Sequence, residues 1–317
     1  MQKDIRTCEF VTPGHPDKMC DVIADNILDA YMAKDTNSRC AIEIMGGHNL
    51  ITVNGEVTSR AKPNIEALIK KMVGKNYKVI VNIALQSPEI AQGVDTGGAG
   101  DQGIMKGYAT RETKSFMPLE YELARNLCMK LYAHYPFDGK VQVTVADGKV
   151  TVVVASFQNV PQDLLRHAVK KYIKADTYLI NPAGDWNQGG FDADSGLSGR
   201  KLIIDNYGPE HTIGGGSFSG KDYTKVDRSG AYMARKIAVD MLKKNKSYNS
   251  VEVKLAYAIG IADPVMAVAV IDGKKEIAIE GYDLSPRGIY KKLKFDSVKF
   301  ADTCTWGHFG RSFPWDK

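Results

Sequence analysis

Residues 141–172 read VQVTVADGKVTVVVASFQNVPQDLLRHAVKKY and give the clearest indication of the fold. Two apolar segments, 141–145 and 150–157, lie on either side of the turn Asp147-Gly148, which is typical of a β-hairpin. Pro161 then opens a segment whose apolar residues recur at helical spacing. The stretch therefore predicts a hairpin followed by a helix.

An internal repeat extends this pattern to the whole chain. A helix, two strands and a second helix occur in this order three times, at a period on the order of a hundred residues, which indicates repeated domains. The first helices open at Pro16-Asp17, at Pro118 and at Asp227, where Asp-Arg-Ser is an N-cap signal. The hairpins occupy 40–53, 141–157 and 251–271, and the second helices open at Pro63, Pro161 and Pro286.

Each copy of the repeat can bury one face of a sheet beneath its helices. The sequence therefore predicts an α/β fold of the α+β type, in which three similar domains of sheet and helices share a common centre. We expect these domains to span residues 1–97, 98–189 and 190–317.

Composition limits the classes of function. A chain of 317 residues with 44% hydrophobic residues is long enough for two or three domains. The net charge of +5 is dispersed, which favours an anionic small ligand over nucleic acid. The five cysteines have no Cys-x-x-Cys spacing, so neither a disulfide framework nor a zinc site is expected. The N-terminus has no apolar signal core, and no run approaches the roughly 20 apolar residues that span a bilayer, so we expect a cytoplasmic protein that binds no membrane.

Residues 214–228, GGGSFSGKDYTKVDR, are typical of a site that binds nucleotide phosphates. Glycines let backbone N–H groups turn toward an anion, and the charged residues suit a polyphosphate with its metal ion. Gly215, Gly220 and Lys221 fit the P-loop pattern, but Asp222 stands where a Ser or Thr hydroxyl should bind magnesium. We therefore reject a P-loop, and a surface loop with solvated charges remains the alternative.

Residues 14–18, GHPDK, lead directly into the first predicted helix. His15, Asp17 and Lys18 would cluster around the helix N-terminus, where backbone N–H groups favour an anion. A simple helix cap is the alternative for His15 and Asp17.

Residues 98–103, GAGDQG, match the dinucleotide-binding pattern Gly-x-Gly-x-x-Gly in a formal sense only. A polar stretch separates them from the nearest predicted strand, at 79–85, and Asp101 would repel a pyrophosphate. We predict instead a mobile loop that presents Asp101 to a cation or an amine.

Two further charged segments, DGK at 138–140 and DSGLSGRK at 194–201, each precede a predicted strand, which for the second segment is 202–205. Side chains at such strand ends can converge on one ligand, although a solvated turn is the alternative for each segment. Together the motifs supply cations and hard oxygen ligands as expected around a triphosphate with magnesium. The cations are Lys140, Arg200, Lys201, Lys221 and Lys225, and the oxygen ligands are Asp17 and Asp227.

The motifs GHPDK, GAGDQG, DSGLSGRK and GGGSFSGKDYTKVDRS closely resemble those of the S-adenosylmethionine synthetases, also called methionine adenosyltransferases. The similarity extends from Glu9 to Trp315. The resemblance implies three domains around a pseudo-threefold axis and a homodimer, at least, with active sites at the subunit interface. It also implies transfer of the adenosyl group of ATP to the sulfur of L-methionine, followed by hydrolysis of the tripolyphosphate to phosphate and pyrophosphate. A thioether sulfur has no proton to lose, so such a site needs positioning and charge rather than a general base.

The resemblance also implies roles for individual residues. Catalytic roles fall to His15, Asp101, Lys140, Arg200, Lys201 and Lys221. Contacts to ATP fall to His15, Asp138, Lys140, Trp186, Asp194, Arg200, Lys201, Ser217 and Lys221. Contacts to methionine fall to Glu56, Gln86, Asp194 and Lys225. Two Mg²⁺ ions are expected at Asp17 and Asp227, and a K⁺ ion at Glu43.

Two of the departures from the family pattern bear on the site. Only Thr96-Gly97 lie between Asp95 and Gly98, where the family carries a longer mobile loop, so we expect weaker closure of the site in a compact member. Asp185 reverses the usual charge beside Trp186, which can still stack on adenine. Two alternatives therefore stay open, a hydrolase of tripolyphosphate and a nucleotide-binding subunit without turnover.

Overall fold

A computed structural model describes residues 4–86 and 96–317 of the chain. Its strands within these ranges are β1 Ile5–Val11, β2 Arg39–Gly47, β3 Leu50–Thr58, β4 Lys78–Ala84, β5 Gly103–Thr110, β6 Gly139–Ala146, β7 Lys149–Phe157, β8 Thr177–Ile180, β9 Gly196–Leu197, β10 Ser250–Tyr257, β11 Met266–Ile271 and β12 Lys275–Ala278. Its α-helices are α1 Pro16–Met32, α2 Ile65–Val73, α3 Leu119–Tyr132, α4 Gln162–Tyr172, α5 Leu202–Asp205, α6 Val226–Lys244, α7 Pro286–Leu293 and α8 Ala301–Cys304. Each of the six repeat helices therefore begins at the residue predicted to open it, or within two residues of that position.

The strands form three four-stranded sheets, ordered β1-β6-β7-β8, β9-β2-β3-β4 and β5-β10-β11-β12. Each sheet contains one of the predicted hairpins, so the three-domain α/β architecture is confirmed. In each sheet an outer strand from another part of the chain pairs antiparallel with the first hairpin strand. The strand β1, for example, lies in the sheet formed by residues 139–180, because its apolar side chains complete that sheet's buried face.

Each sheet is covered by one long helix, since α1 packs on β2 and β9, α3 on β1 and β6, and α6 on β5 and β10. The alternation in the sequence explains the buried faces. In β6, for example, Val141, Val143 and Val145 are buried, whereas the residues between them are partly exposed. A period of two therefore places one face of the hairpin under a helix.

The third repeat differs from the other two. In the first and second repeats a helix crosses over to a fourth, parallel strand, so that β3 pairs with β4 and β7 with β8. In the third repeat β12 follows β11 directly and pairs antiparallel with it. The strand β12 was not expected from the sequence, because its four residues are mostly exposed and short.

Two local predictions were wrong. Residues 202–205 form the short helix α5 rather than a strand, and Ile204 and Asp205 are buried in it. Lys225, not Asp227, is the N-cap residue of α6, and Asp227 lies in the first turn. Side-chain contacts explain both errors. Asp205 binds Lys18, which is 187 residues away in the sequence, and Asp227 binds Lys221 in the loop before α6.

All five cysteines are buried free thiols. Among the residues that the structure describes, no helix is both long and apolar enough to cross a membrane.

Candidate functional site

The first cluster consists of His15, Asp17, Arg200 and Lys201. The carboxylate of Asp17 forms an ion pair with Lys201 Nζ, lies 3.7 Å from Arg200 Nε and accepts the N–H of Leu197 at 3.0 Å. Asp17 is buried, and it sits at the N-terminus of α1 because Pro16 opens that helix. The motifs GHPDK and DSGLSGRK therefore meet, although 184 residues separate Asp17 from Lys201.

His15 is the N-cap residue of α1, and its Nδ1 accepts the N–H of Asp17 at 3.2 Å. The cap that was the alternative reading of this residue is thus present. Because Nδ1 accepts, the neutral ring carries its proton on Nε2. Burial and the nearby charge of Lys201 lower the pKa of His15 to about 4, so the imidazole is neutral at neutral pH.

The carboxylate of Asp17 stays ionised although it is buried. Burial alone would raise its pKa, but the hydrogen bonds from Lys201 and from the Leu197 N–H outweigh that effect, so the pKa lies below its ordinary value. A buried carboxylate held in its charged form is suited to bind a cation.

Three more of the predicted residues lie around the first cluster. Asp138 accepts the N–H of Gly190 at 2.9 Å, and burial raises the pKa of Asp138, with the charge of Asp194 adding to that rise. Lys140 is half-exposed and forms an ion pair with Glu9 at 2.6 Å. The charges of Lys140 and Asp194 also act on the pKa of His15, the first lowering it and the second raising it.

The second cluster consists of Lys221 and Asp227, whose Nζ and Oδ2 atoms lie 2.7 Å apart. Gly216 leaves the room that the Asp227 carboxylate occupies, since a Cβ at Gly216 would lie 2.2 Å from Asp227 Cγ. Ser217 packs against Gly199, which directly precedes Arg200 of the first cluster. A Cβ atom added to Gly199 would lie only 2.6 Å from the Cβ of Ser217. The glycine-rich segment therefore adjoins the segment that carries Arg200 and Lys201.

Two lysines of these motifs point away from both clusters. Lys225 Nζ is bound to Asp222 Oδ1 at 2.6 Å. Lys18 Nζ is fully buried between Asp21 and Asp205, at 2.9 and 2.6 Å, so Lys18 does not join His15 and Asp17 in the cluster expected around the helix N-terminus. Both lysines neutralise buried carboxylates that would otherwise be costly.

Asp222 explains why the glycine-rich segment is not a P-loop. Its buried carboxylate accepts the N–H of Cys40 at 2.7 Å and the N–H of Thr224 at 2.9 Å. It therefore attaches the segment to β2, whereas the hydroxyl of a P-loop would bind a magnesium ion in that position.

Glu43 and Glu56 lie on the outer face of the sheet β9-β2-β3-β4, as their pairing with Asn54 and Ala41 shows. Glu43 accepts a hydrogen bond from Ser198 Oγ at 2.6 Å. Ala41 also pairs with Lys221 in an isolated bridge, and residues paired in this way project from the same face. The second cluster and both glutamates thus share one face of this sheet.

Two further predicted residues, Gln86 and Asp101, lie close to the ends of the two described ranges in the sequence. Gln86 ends the first described range, and its Oε1 is buried without a partner among residues 4–86 and 96–317. Asp101 accepts the N–H of Gln102 at 2.7 Å, and the preceding Ala99 and Gly100 are tied by backbone hydrogen bonds to Ile261 and Thr224. The junction at 94–95, on which the prediction of weaker closure depends, lies outside the described residues.

Trp186 is half-buried, and its backbone oxygen accepts the N–H of Asn159 at 2.9 Å. The neighbouring Asp185 binds the side chain of Asn181 at 2.9 Å. The Asp185 carboxylate therefore has a local hydrogen-bond partner.

The sequence reasoning missed a row of acidic residues that follows Asp17 along α1. Asp21, Asp25 and Asp29 come at intervals of four residues, and each accepts at least one backbone N–H from a distant segment. Arg228, which ends the segment expected to bind a polyphosphate, is instead fully buried and pairs with Asp25. The four-residue period was the available signal, because it places all these carboxylates on one side of the helix.

Comparison with protein families gives three matches. The description "S-adenosylmethionine synthetase" applies to the N-terminal domain model at residues 3–92, the central domain model at 96–186 and the C-terminal domain model at 188–317. Together they match nearly the whole chain.

Individual proteins agree with the family matches. The S-adenosylmethionine synthase of Mycoplasmopsis pulmonis is 40% identical, with 100% of this chain and 97% of the relative covered. The S-adenosylmethionine synthase of Clostridium tetani is 36% identical, with 98% and 96% covered. The structure of an unusual S-adenosylmethionine synthetase from Campylobacter jejuni superimposes with a TM-score of 0.89 and 32% identity, over 99% of this chain and 96% of the other. The fold, the order of the motifs and these matches agree, and the chain belongs to the S-adenosylmethionine synthetase family.

Proposed function

We propose that the first and second clusters together hold the triphosphate of ATP during adenosyl transfer. The chain, as a member of its family, makes S-adenosylmethionine from ATP and methionine. The observation that carries the assignment to these residues is the contact between Gly199 and Ser217, which joins the loop of Arg200 and Lys201 to the glycine-rich segment before Lys221.

The charges of the clusters suit the reaction. In the proposed step the methionine sulfur forms a bond to the ribose C5′ carbon, and the bond from C5′ to the triphosphate oxygen breaks with its electron pair staying on oxygen. Arg200, Lys201 and Lys221 stabilise the negative charge of the departing tripolyphosphate more strongly than they stabilise the bound substrate. The neutral His15 donates a hydrogen bond from Nε2 toward the departing oxygen, because its Nδ1 is occupied by the Asp17 N–H. We extend the proposal to the later hydrolysis of tripolyphosphate in the same site.

The carboxylates of Asp17 and Asp227 fit magnesium. Mg²⁺ is usually bound by one or two carboxylates together with substrate phosphates, so it needs no preformed cage. In agreement, residues 4–86 and 96–317 contain no group of three or more His, Cys, Asp or Glu side chains that could hold a metal by themselves. Asp17 and Asp227 each lie beside a lysine that a phosphate oxygen can attract in their place. When bound, Mg²⁺ neutralises the phosphate oxygens and so favours the departure of the tripolyphosphate.

The surroundings of Glu43 are less specific for K⁺ than those of Asp17 and Asp227 are for Mg²⁺. Its carboxylate is exposed on β2 and is held by Ser198 Oγ, so two hard oxygen atoms lie together. We assign the K⁺ ion to this position on that basis.

The other roles follow the resemblance of the motifs. Asp138, Lys140, Asp194, Ser217 and Trp186 would contact ATP, and Lys140 and Asp194 are electrostatically close to His15 in support of this. Contacts to methionine would come from Glu56, Gln86, Asp194 and Lys225, and Asp101 would face the methionine amino group. Lys225 needs to leave Asp222 for this role.

A homo-oligomer, at least a dimer, would complete the site. The outer face of the sheet β9-β2-β3-β4 exposes Met45 by 51%, Ile80 by 41% and Leu197 by 38%. A second copy of the chain covering this face would bury apolar surface and enclose Glu43 and Glu56. We also infer a cytoplasmic location, which suits the five free thiols.

One incubation tests the proposed function. The purified protein with ATP, methionine, Mg²⁺ and K⁺ is analysed by mass spectrometry for the sulfonium product, with methionine omitted in the control. We expect S-adenosylmethionine only in the complete mixture, and its loss in the variants Lys201→Met and Lys221→Met. Phosphate release without the sulfonium product would indicate a tripolyphosphate hydrolase instead, and full activity of both variants would refute the assigned site. Light scattering on the same preparation gives the oligomeric state.

A further inference from the structure

Four aspartates of α1 form a ladder, which we define as Asp17, Asp21, Asp25 and Asp29. Each accepts backbone N–H groups from a segment far along the chain. The donors are Leu197 for Asp17 at 3.0 Å, Gly199 for Asp21 at 2.8 Å, Gly220 for Asp25 at 2.9 Å, and Phe300 with Ala301 for Asp29 at 2.9 and 3.0 Å. Successive rungs lie about 6 Å apart along the helix axis, since each residue adds about 1.5 Å.

The two middle rungs are built into the interior. Asp21 and Asp25 are both fully buried. The second oxygen of Asp21 binds Lys18 at 2.9 Å, and both oxygens of Asp25 bind Arg228 at 2.6 and 2.9 Å. Rotation of the Asp25 carboxylate away from Gly220 would break the buried ion pair with Arg228, and rotation of the Asp21 carboxylate would remove one of the two carboxylates that bind the buried Lys18.

The segments held by these rungs have no space to shift. Gly199 and Gly220 have φ of +74° and +80°, a conformation that favours glycine. A Cβ at Gly220 would lie 2.1 Å from the backbone oxygen of Ile42, and a Cβ at Gly199 would meet Ser217. The N–H groups that the ladder binds therefore belong to tightly packed turns.

Each middle rung binds the glycine that directly precedes a phosphate-binding residue of the proposed site. Gly199 directly precedes Arg200, and Gly220 directly precedes Lys221. Arg228 adds a second link, because it donates to the backbone oxygen of Lys221 at 3.1 Å while it binds Asp25.

We propose that Asp21 and Asp25 are positioning residues for adenosyl transfer. Through the N–H groups of Gly199 and Gly220 they set the places of the first and second clusters along a single helix, whose first turn carries Asp17. The rigid helix thus fixes the spacing between cations that must meet one triphosphate. This inference rests on the proposed site and goes beyond it, because both carboxylates are fully buried and bonded to other groups of the protein.

Asp29 provides a matched control for the test. It makes the same kind of bond on the same helix, but its donors, Phe300 and Ala301, lie outside both clusters. The variants Asp21→Ala, Asp25→Asn and Asp29→Ala are compared with the wild type at a temperature where each is folded. The measurements are kcat and KM for S-adenosylmethionine formation, inhibition by inorganic tripolyphosphate, and the thermal midpoint.

We expect Asp29→Ala to lower the thermal midpoint and to leave kcat and tripolyphosphate inhibition unchanged. We expect Asp21→Ala and Asp25→Asn to lower kcat by about 10- to 100-fold and to weaken tripolyphosphate inhibition, as displaced supporting groups typically do. Asp25→Asn keeps an acceptor oxygen for Gly220, but it loses the charge that pairs with Arg228, which also binds the backbone oxygen of Lys221. Asp21→Asn keeps an acceptor oxygen for Gly199, so its kcat is expected to lie between those of Asp21→Ala and the wild type. Asp21→Asn also replaces Asp21→Ala in the test if Asp21→Ala does not fold.

Two outcomes would overturn the proposal. One is wild-type kcat and tripolyphosphate inhibition in Asp21→Asn and Asp25→Asn, and the other is an equal loss in Asp29→Ala. The variant Lys221→Met distinguishes a failure of the positioning proposal from a failure of the proposed triphosphate site. If Lys221→Met is inactive while the ladder variants are not, the ladder is structural only, whereas full activity of Lys221→Met removes the site on which the proposal rests.

Discussion

The carboxylate of Asp25 and the guanidinium of Arg228 form a bidentate ion pair in the interior of the protein, with nitrogen–oxygen distances of 2.6 and 2.9 Å. Both side chains are fully buried. The pair connects α1 to α6, so a buried charge pair joins the helices of the first and third repeats. Arg228 is further bonded to Tyr232 and Thr303, both at 3.0 Å, which accounts for most of its donors.

Removing the cation of this pair should destabilise the fold strongly. The variant Arg228→Met leaves the buried carboxylate of Asp25 without its counter-charge, which typically costs about 3–5 kcal/mol of unfolding free energy. Denaturant unfolding followed by circular dichroism measures the change. The matched control is Lys299→Met, because Lys299 pairs with Asp302 on the exposed surface, where such pairs contribute about 0–1 kcal/mol. Equal effects of the two substitutions would contradict the interior role of Arg228.

Substitution of single cations around the proposed triphosphate should affect turnover far more than stability. The variants Lys140→Met and Lys221→Met are each expected to lower kcat by about 100- to 1,000-fold, the usual effect of removing one donor to developing charge. Lys140 is half-exposed with Glu9 as its ion-pair partner, so its variant should keep the wild-type thermal midpoint. The control is Lys70→Met on the exposed side of α2, where the partner is Glu66. A rate near that of the wild type in either active-site variant would contradict the assignment of that lysine.

The stability of the protein should fall as the pH drops from about 6.5 to about 4, and His15 should account for part of this fall. Burial, followed by the charge of Lys201, lowers the pKa of His15 from 6.5 to about 4 in the folded state. Between these values the unfolded chain binds more protons than the folded chain, so acid favours unfolding there. Below about pH 4 both states carry the proton on this ring, and its contribution to the pH dependence ends.

The variant His15→Asn tests this prediction, because asparagine can still accept the N–H of Asp17 as an N-cap but does not titrate. Thermal midpoints are measured across the same pH range for both proteins. We expect a shallower fall in the variant, and parallel curves would show that His15 titrates normally in the folded protein.

Potassium dependence should follow Glu43. In Glu43→Gln the amide oxygen can still accept from Ser198, but the negative charge that would attract the ion is lost. We expect activity without K⁺ to stay near that of the wild type without K⁺, and the activation by added KCl to disappear. Glu66→Gln on α2 is the control. Unchanged activation in Glu43→Gln would mean that the ion binds elsewhere.

Gly216 should be required for the position of Asp227. In Gly216→Ala the added Cβ would lie 2.2 Å from Asp227 Cγ, so the carboxylate must move. We expect the Mg²⁺ concentration for half-maximal activity to rise, with a thermal midpoint close to the wild type. Gly103→Ala is the control, since its Cβ would meet only the flexible end of Met105, at 3.3 Å. Equal Mg²⁺ dependence in both variants would argue against Asp227 as a ligand.

The sequence was informative where local pattern decides structure. Prolines at the helix starts and alternating apolar residues in the hairpins predicted the repeat, and the observed β6, β7 and α4 follow the stretch from which it was derived. It was misleading where a distant partner decides. Residues 202–205 are apolar enough for a strand, but Asp205 is buried against Lys18, 187 residues away, and the segment forms a helical turn around that contact.

The sequence by itself determined the three-fold α/β repeat, the family and the charged segments, because periodicity, turn residues and motifs are local properties of the chain. Only the tertiary structure decided which charges face each other. It turned Lys18 and Lys225 toward buried carboxylates, brought Lys201 to Asp17, and placed the N–H groups of Gly199 and Gly220 on α1. The physical reason is that a buried charge must be paired, and the pairing partner lies wherever the packing of the three sheets and their helices leaves one within reach.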